Sequence, residues 1–214
     1  MLRIAPGEKL LFIGDSITDC DYRRVAPPLG GGFVLFVSCL LAARYPECRV
    51  EVINRGNAGD TILDLERRWD DDALAIRPDW LFVMIGVNDV LYRHVSGGGD
   101  RAVSDEEYRS AYRRILGRTR ETSSSKIVLL EPTPLEEYLP AESHAYMRAI
   151  CGIVREVAAE VEAEVCPTFE AFHAAVSRAP DRGWMVDVPH PNLNGHAVLA
   201  LTILRHLGWE SGTA

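Results

Sequence analysis

The sequence predicts an α/β fold, a three-layer α/β/α sandwich around a five-stranded parallel sheet. Two observations carry this. Short apolar runs alternate with longer helical patterns from end to end of the 214 residues, and each helical stretch is placed to serve as the crossover that parallel neighbours need. Right-handed crossovers and burial of both sheet faces then leave the flavodoxin-like strand order 2-1-3-4-5 as the expected topology.

The elements follow in order. Residues 9–13 (Lys-Leu-Leu-Phe-Ile) read as the first strand and 33–44 as the first helix. That helix is apolar enough to be buried, yet it is interrupted by Ser38 and falls short of the roughly 18 residues that cross a bilayer. The second strand is expected over 49–53. A helix over 61–76 follows, opened by the capping-box match Thr61-Ile62-Leu63-Asp64 and closed by Pro78. The third strand spans 80–85. Ser104 with Glu107 is another capping box, opening a helix that runs to Arg120, and 126–130 is the fourth strand. A helix from Ser143 to about Glu164, a short fifth strand at 165–168 and an amphipathic helix over 194–207 complete the chain. Neither Gly30-Gly31-Gly32 nor Gly97-Gly98-Gly99 divides it, and a single domain over 1–214 is expected.

Composition narrows the function. With 47% hydrophobic and 25% charged residues, the chain is no disordered tail. Its net charge of −8 and isoelectric point near 5.3 are the wrong sign for a nucleic-acid binder. Residues 1–9 show neither an apolar secretory core nor a small-residue cleavage site, and no membrane association is expected. Cys20, Cys39, Cys48, Cys151 and Cys166 form an odd set without a Cys-x-x-Cys pair. They read as reduced thiols, which suits a cytoplasmic protein.

In an open parallel sheet, ligands bind at the carboxyl ends of strands, near the point where strand order reverses. Gly14-Asp15-Ser16 follows the first strand, residues 54–61 follow the second, and Gly86-Val87-Asn88-Asp89 follows the third. With neighbouring strands about 4.8 Å apart, Ser16, Gly59 and Asn88 should converge within one small substrate. Such a cluster suits acyl transfer, with Ser16 as nucleophile. The Ser16 and Gly59 backbone N–H groups and the Asn88 amide would be the oxyanion donors. The helix start after Gly59 adds partial positive charge. The base is sought at Asp187-Val188-Pro189-His190, before the last helix. There Asp187 can accept from Nδ1–H of His190 and leave Nε2 to take the Ser16 proton, provided that the preceding loop reaches back across the sheet.

These four blocks, in this order and on these elements, resemble the SGNH (GDSL-type) hydrolase superfamily over essentially the whole chain. The resemblance implies one SGNH-hydrolase-like domain with Ser16 as nucleophile, Gly59 and Asn88 in the oxyanion hole, His190 as general base and Asp187 as its orienting acid. Residues 8–20 and Arg67-Arg68-Trp69 are similar to the intracellular acetylxylan-esterase branch, whose members deacetylate xylo-oligosaccharides. Val188-Pro189 departs from the Arg-Val expected there. The expected activity is a serine esterase for small acyl groups, acetyl first, on carbohydrate, with a small-molecule ester as partner and no cofactor or metal. A lysophospholipase or thioesterase using the same triad is the nearest alternative. A silent carbohydrate-binding module and a metal-dependent phosphoesterase are the others.

Local readings compete at several positions. Ser16 with Asp19 matches a capping box, which would make Ser16 only a helix starter. Asp15, Asp19, Asp60 and Asp89 at strand ends invite a magnesium site. However, no strand ends in Asp-x-Asp, and the 56–61 turn lacks a P-loop lysine. His196 reads as a residue that packs or caps, and Asp70-Asp71-Asp72 as a solvated face. Tyr22 and Trp184 are candidate walls for a sugar ring, with core packing as their alternative. Helix-covered α/β domains often pair by an exposed face, which leaves a homo-oligomer open.

Overall fold

The computed structural model describes residues 1–21, 23–24, 26–95, 99–134 and 141–209. Strands β1 (Lys9–Gly14), β2 (Glu51–Gly56), β3 (Trp80–Met84), β4 (Lys126–Leu130) and β5 (Glu164–Cys166) form one sheet in the expected order β2-β1-β3-β4-β5. Every neighbouring pair is parallel. Among the described residues, eight α-helices connect or follow them: α1 (Ser16–Asp19), α2 (Phe33–Arg44), α3 (Ile62–Arg67), α4 (Val87–Val90), α5 (Asp105–Thr122), α6 (Ala141–Glu160), α7 (Thr168–Arg178) and α8 (Leu193–His206). One layer is built from α2, α8 and α7, and the other from α3, α5 and α6.

The central strands are apolar without alternation because both their faces are covered. Leu10 to Ile13 and Trp80 to Met84 are all buried. Phe12 stacks on Phe82 at 4.5 Å between ring centres and meets Phe33 of α2 edge-on at 5.8 Å, joining sheet and helix layer. The Ser104–Glu107 and Thr61–Asp64 capping boxes both form, satisfying N–H groups that α5 and α3 would otherwise leave unpaired.

Three expectations need correction. β2 begins later than 49–53 and continues through polar Asn54 and Arg55. Arg49 has φ +47°, incompatible with a strand, while Asn54 and Arg55 pair in register with Phe12 and Ile13. Strand pairing is a backbone property, and the buried Asn54 amide donates to the Thr18 and Leu29 carbonyls (2.7 and 2.8 Å).

The helix expected over 61–76 stops at Arg67 and gives way to a wider π-type turn over Asp70–Leu74. The break turns both Arg68 and Trp69 inward. Trp69 is fully buried, with Nε1 on Thr119 Oγ1 at 3.0 Å. Asp72, expected in a solvated run, is drawn with it into ion pairs with Arg68 (3.0 Å) and Arg55 (3.6 Å). Finally, α7 occupies a stretch with no predicted helix. Its signal was the spacing of Phe169, Phe172, Ala175 and Val176, which lies partly on the core.

Candidate active site

Register places the site. Gly14 at the end of β1 pairs with Gly56 of β2 and Met84 of β3, so the three following turns leave the sheet at one level. A Cβ at Gly56 would lie 2.0 Å from the Asp19 backbone nitrogen, so glycine there lets α1 sit directly over the end of β2.

The cap of α1 is Asp15 and not Ser16. Asp15 Oδ1 accepts from the Ile17 N–H at 3.0 Å, which frees the Ser16 hydroxyl from the capping role. As the first residue of α1, Ser16 also carries an N–H without an intrahelical acceptor. Asp15 is fully buried, and burial raises its pKa to about 7, with the Ile17 bond opposing and Asp89 and Asp60 adding repulsion.

The opposing loop is held by its own backbone. Met185 bridges Pro191, Val186 N–H donates to the His190 carbonyl (2.8 Å), and His190 N–H donates to the Asp187 carbonyl (2.9 Å). Asn192 then caps α8 through the Asn194 and Gly195 N–H groups. Trp184 anchors the base of this loop: it is 8% exposed, packs against Phe172 of α7 and donates from Nε1 to the Ala179 carbonyl at 2.8 Å. It therefore does not line the cleft beside Ser16, and the sugar-wall expectation for it is corrected. Its bulk is spent on packing. Tyr22 lies outside the described residues.

This loop reaches back across the sheet as required. His190 Nε2 is 2.8 Å from Ser16 Oγ, and His190 Nδ1 is 2.5 Å from Asp187 Oδ1. The Asp187–His190 pair is open to solvent, the Asp187 side chain being 63% exposed and that of His190 41%.

Gly59 and Asn88 follow the ends of the two strands that flank β1. Gly59 has φ +83°, a left-handed conformation that glycine adopts without cost. Its carbonyl accepts from Arg101 Nη2 at 2.8 Å and from Tyr92 Oη at 3.3 Å. Buried Asn88 donates one Nδ2 hydrogen to the Asp60 carbonyl at 2.9 Å; a primary amide has two, so one is left for a ligand. The neighbouring Asp89 carboxylate accepts from the Ile62 N–H at 3.1 Å, so consecutive residues staple the 59–62 turn to α4. Burial raises the Asp89 pKa to about 7 against the lowering effect of that bond.

Arg68, which the sequence marks only through a branch resemblance, holds the ends of β1 and β2 and the turn after β2 with one guanidinium. Nε reaches Asp60 Oδ2 (2.6 Å), Nη1 the Arg55 carbonyl (2.8 Å), and Nη2 the Gly14 carbonyl (2.8 Å).

A cleft of about 380 Å³ opens over Ser16, bordered by Ile17, Cys20, Val186, His190, Pro191 and His196. His196 packs, as expected. Its Nδ1 accepts from the Phe33 N–H (3.2 Å), so the neutral ring carries its proton on Nε2, 3.7 Å from Cys20 Sγ. Burial first, and then the proximity of His190, lowers its pKa to about 4. Among the described residues, no three His, Cys, Asp or Glu side chains are grouped to hold a metal ion. No helix among them is long and apolar enough to cross a membrane. The arrangement offers a hydroxyl 2.8 Å from an imidazole and, at the ends of the neighbouring strands, a glycine turn and an amide with a spare hydrogen, groups that acyl transfer can use.

Comparison with known proteins agrees. The chain is 34% identical to an acetylxylan esterase of Geobacillus stearothermophilus, over 98% of each chain. A crystal structure of a catalytic mutant of that esterase superposes with a TM-score of 0.91 at 33% identity, covering all of both chains. An α/β hydrolase enzyme from the metagenome of Lake Arreo, Spain, superposes with a TM-score of 0.89 at 32% identity, over 97% of this chain and 98% of its own. The GDSL-like lipase/acylhydrolase family model matches residues 12–198. Sheet order, site and sequence thus converge, and the chain belongs to the GDSL-like lipase/acylhydrolase family.

Proposed function

We propose that this protein is a carboxylic ester hydrolase that removes acetyl groups from xylo-oligosaccharides or related carbohydrates through an acyl-enzyme on Ser16. The observation that carries the reading is the unbroken contact chain from Ser16 Oγ through His190 to Asp187, at 2.8 and 2.5 Å. Ser16 Oγ attacks the ester carbonyl carbon as its proton passes to His190 Nε2. The oxyanion is received by the Ser16 and Gly59 N–H groups and the second Asn88 amide hydrogen. Collapse breaks the bond to the sugar oxygen, which takes the proton from His190. Water, deprotonated by the same imidazole, then releases acetate.

The acetylated-sugar substrate is supported by the full-length similarity to an acetylxylan esterase. Catalytic mutants of that esterase carry alanine in place of a serine, an aspartate or a histidine. The last two are three positions apart, as Asp187 and His190 are. All five cysteines are unbridged, which supports a reducing, cytoplasmic setting.

The test is hydrolysis of 4-nitrophenyl acetate and release of acetate from acetylated xylo-oligosaccharides. Ser16→Ala and His190→Ala should each lower turnover by at least about 10³-fold. Wild-type turnover from Ser16→Ala rejects the mechanism. Faster hydrolysis of octanoyl than acetyl esters transfers the assignment to a lysophospholipase or thioesterase.

A further inference from the structure

We propose that Arg68 is the positioning residue of the oxyanion side of this site: one guanidinium plane sets the relative placement of Ser16, Gly59 and Asn88. The proposal rests on the acyl-transfer reading above. Arg68 touches none of the reacting groups, and it acts through four neighbours. Nη2 holds the Gly14 carbonyl at 2.8 Å, two residues before Ser16. Nε holds Asp60 Oδ2 at 2.6 Å, one residue after Gly59. The carbonyl of that same Asp60 receives the Asn88 amide at 2.9 Å. Nη1 holds the Arg55 carbonyl (2.8 Å), near the end of β2, and Asp72 Oδ2 (3.0 Å). All three candidate oxyanion donors thus hang from one side chain, itself only 17% exposed.

The residue type fits the task. A guanidinium presents its donors in a rigid plane at fixed separations, so satisfying one acceptor fixes where the others must be. An ammonium directs three donors from a single point on a flexible stem and cannot span two strand ends and a turn at once. An oxyanion donor is effective only about 2.7–3.1 Å from the developing charge, and a displacement of about 1 Å is enough to cost about 10²-fold.

Arg68→Lys and Arg68→Ala test this, with 4-nitrophenyl acetate as substrate and an alkylboronic acid as a probe that forms a tetrahedral adduct on Ser16. Expected is a kcat lower by about 10- to 10²-fold with KM within about threefold. Boronate affinity should fall in step with kcat. The acid limb of the pH–rate profile should stay in place, because Arg68 contacts neither His190 nor Asp187 in the network described. Ethylguanidinium should restore part of the Arg68→Ala rate. If Arg68→Ala does not fold, Arg68→Lys alone decides.

Wild-type kcat in Arg68→Lys, a moved acid limb, or a rate loss that matches only the unfolded fraction by circular dichroism overturns the proposal. Ser16→Ala measured alongside separates the two readings. If Ser16→Ala is fully active, acyl transfer itself is wrong. If it is inactive while Arg68→Lys is normal, only the Arg68 assignment fails.

Discussion

Asn88 is where geometry makes the sharpest prediction, because one amide has two separable jobs. One Nδ2 hydrogen goes to the Asp60 carbonyl at 2.9 Å, and the other is the proposed oxyanion donor. Asn88→Ala removes both. The structural part is one lost hydrogen bond plus a carbonyl left short of a partner at a site where Asn88 is 5% exposed, about 1–3 kcal/mol. For a domain of this size, that is a fall in Tm of about 2–12 °C. Against a typical stability of about 5–15 kcal/mol, the variant stays essentially folded at 25 °C. The catalytic part is the loss of one preorganised donor, about 10²–10³-fold in kcat or about 2.7–4 kcal/mol of transition-state stabilisation. KM should move by less than about threefold, since the ground-state carbonyl gains little from the donor. Initial rates on 4-nitrophenyl acetate, with melting curves on the same preparations, separate the two parts. A kcat within threefold of wild type, or a loss confined to KM, refutes Asn88 as an oxyanion donor.

Asp187→Asn should lower kcat by between about 10 and 10³-fold, short of the ~10⁴-fold seen for a buried triad carboxylate, because the Asp187 side chain is 63% exposed and water screens it; a full 10⁴-fold loss contradicts this reasoning. Gly59→Ala should reduce stability in urea by about 1–2 kcal/mol, the cost of an L side chain at φ +83°, without a clash, since the nearest side-chain atom to the new Cβ is Tyr92 Oη at 3.5 Å. An unchanged urea midpoint would show the strain to be absent. Asp89 sets a pH dependence of stability. Burial raises its carboxyl to about 7, so the native state takes up a proton that the unfolded chain releases at lower pH. The resulting stabilisation is complete below the unfolded carboxyl range near pH 4 and is lost as pH rises through 7. It is bounded by about 4 kcal/mol at about 1.4 kcal/mol per pH unit. Asp89→Asn keeps an acceptor for the Ile62 N–H and removes the titration, so the wild type should lose stability relative to it between pH 5 and 8. A constant difference across that range excludes the proposed ionisation.

The strand order, and with it the adjacency of the strand ends that carry the turns of Ser16, Gly59 and Asn88, was legible in the sequence, because it depends on local quantities: apolar runs, helix starts, and which turn follows which strand. The Asp187–His190 spacing likewise required only that a loop reach the sheet rim. Other features became visible only when distant segments met. Asp15, and not Ser16, caps α1. Trp184 is turned onto Phe172 of α7 and away from the cleft. The expected helix over 61–76 breaks, and Arg68 sits between two strand ends, where it satisfies carbonyls of Gly14 and Arg55. Each is a question of which donor meets which buried acceptor across tens of residues. Hydrophobic periodicity records only the face that a residue prefers; the need to pair every buried polar group is met in three dimensions, and that need chose these partners.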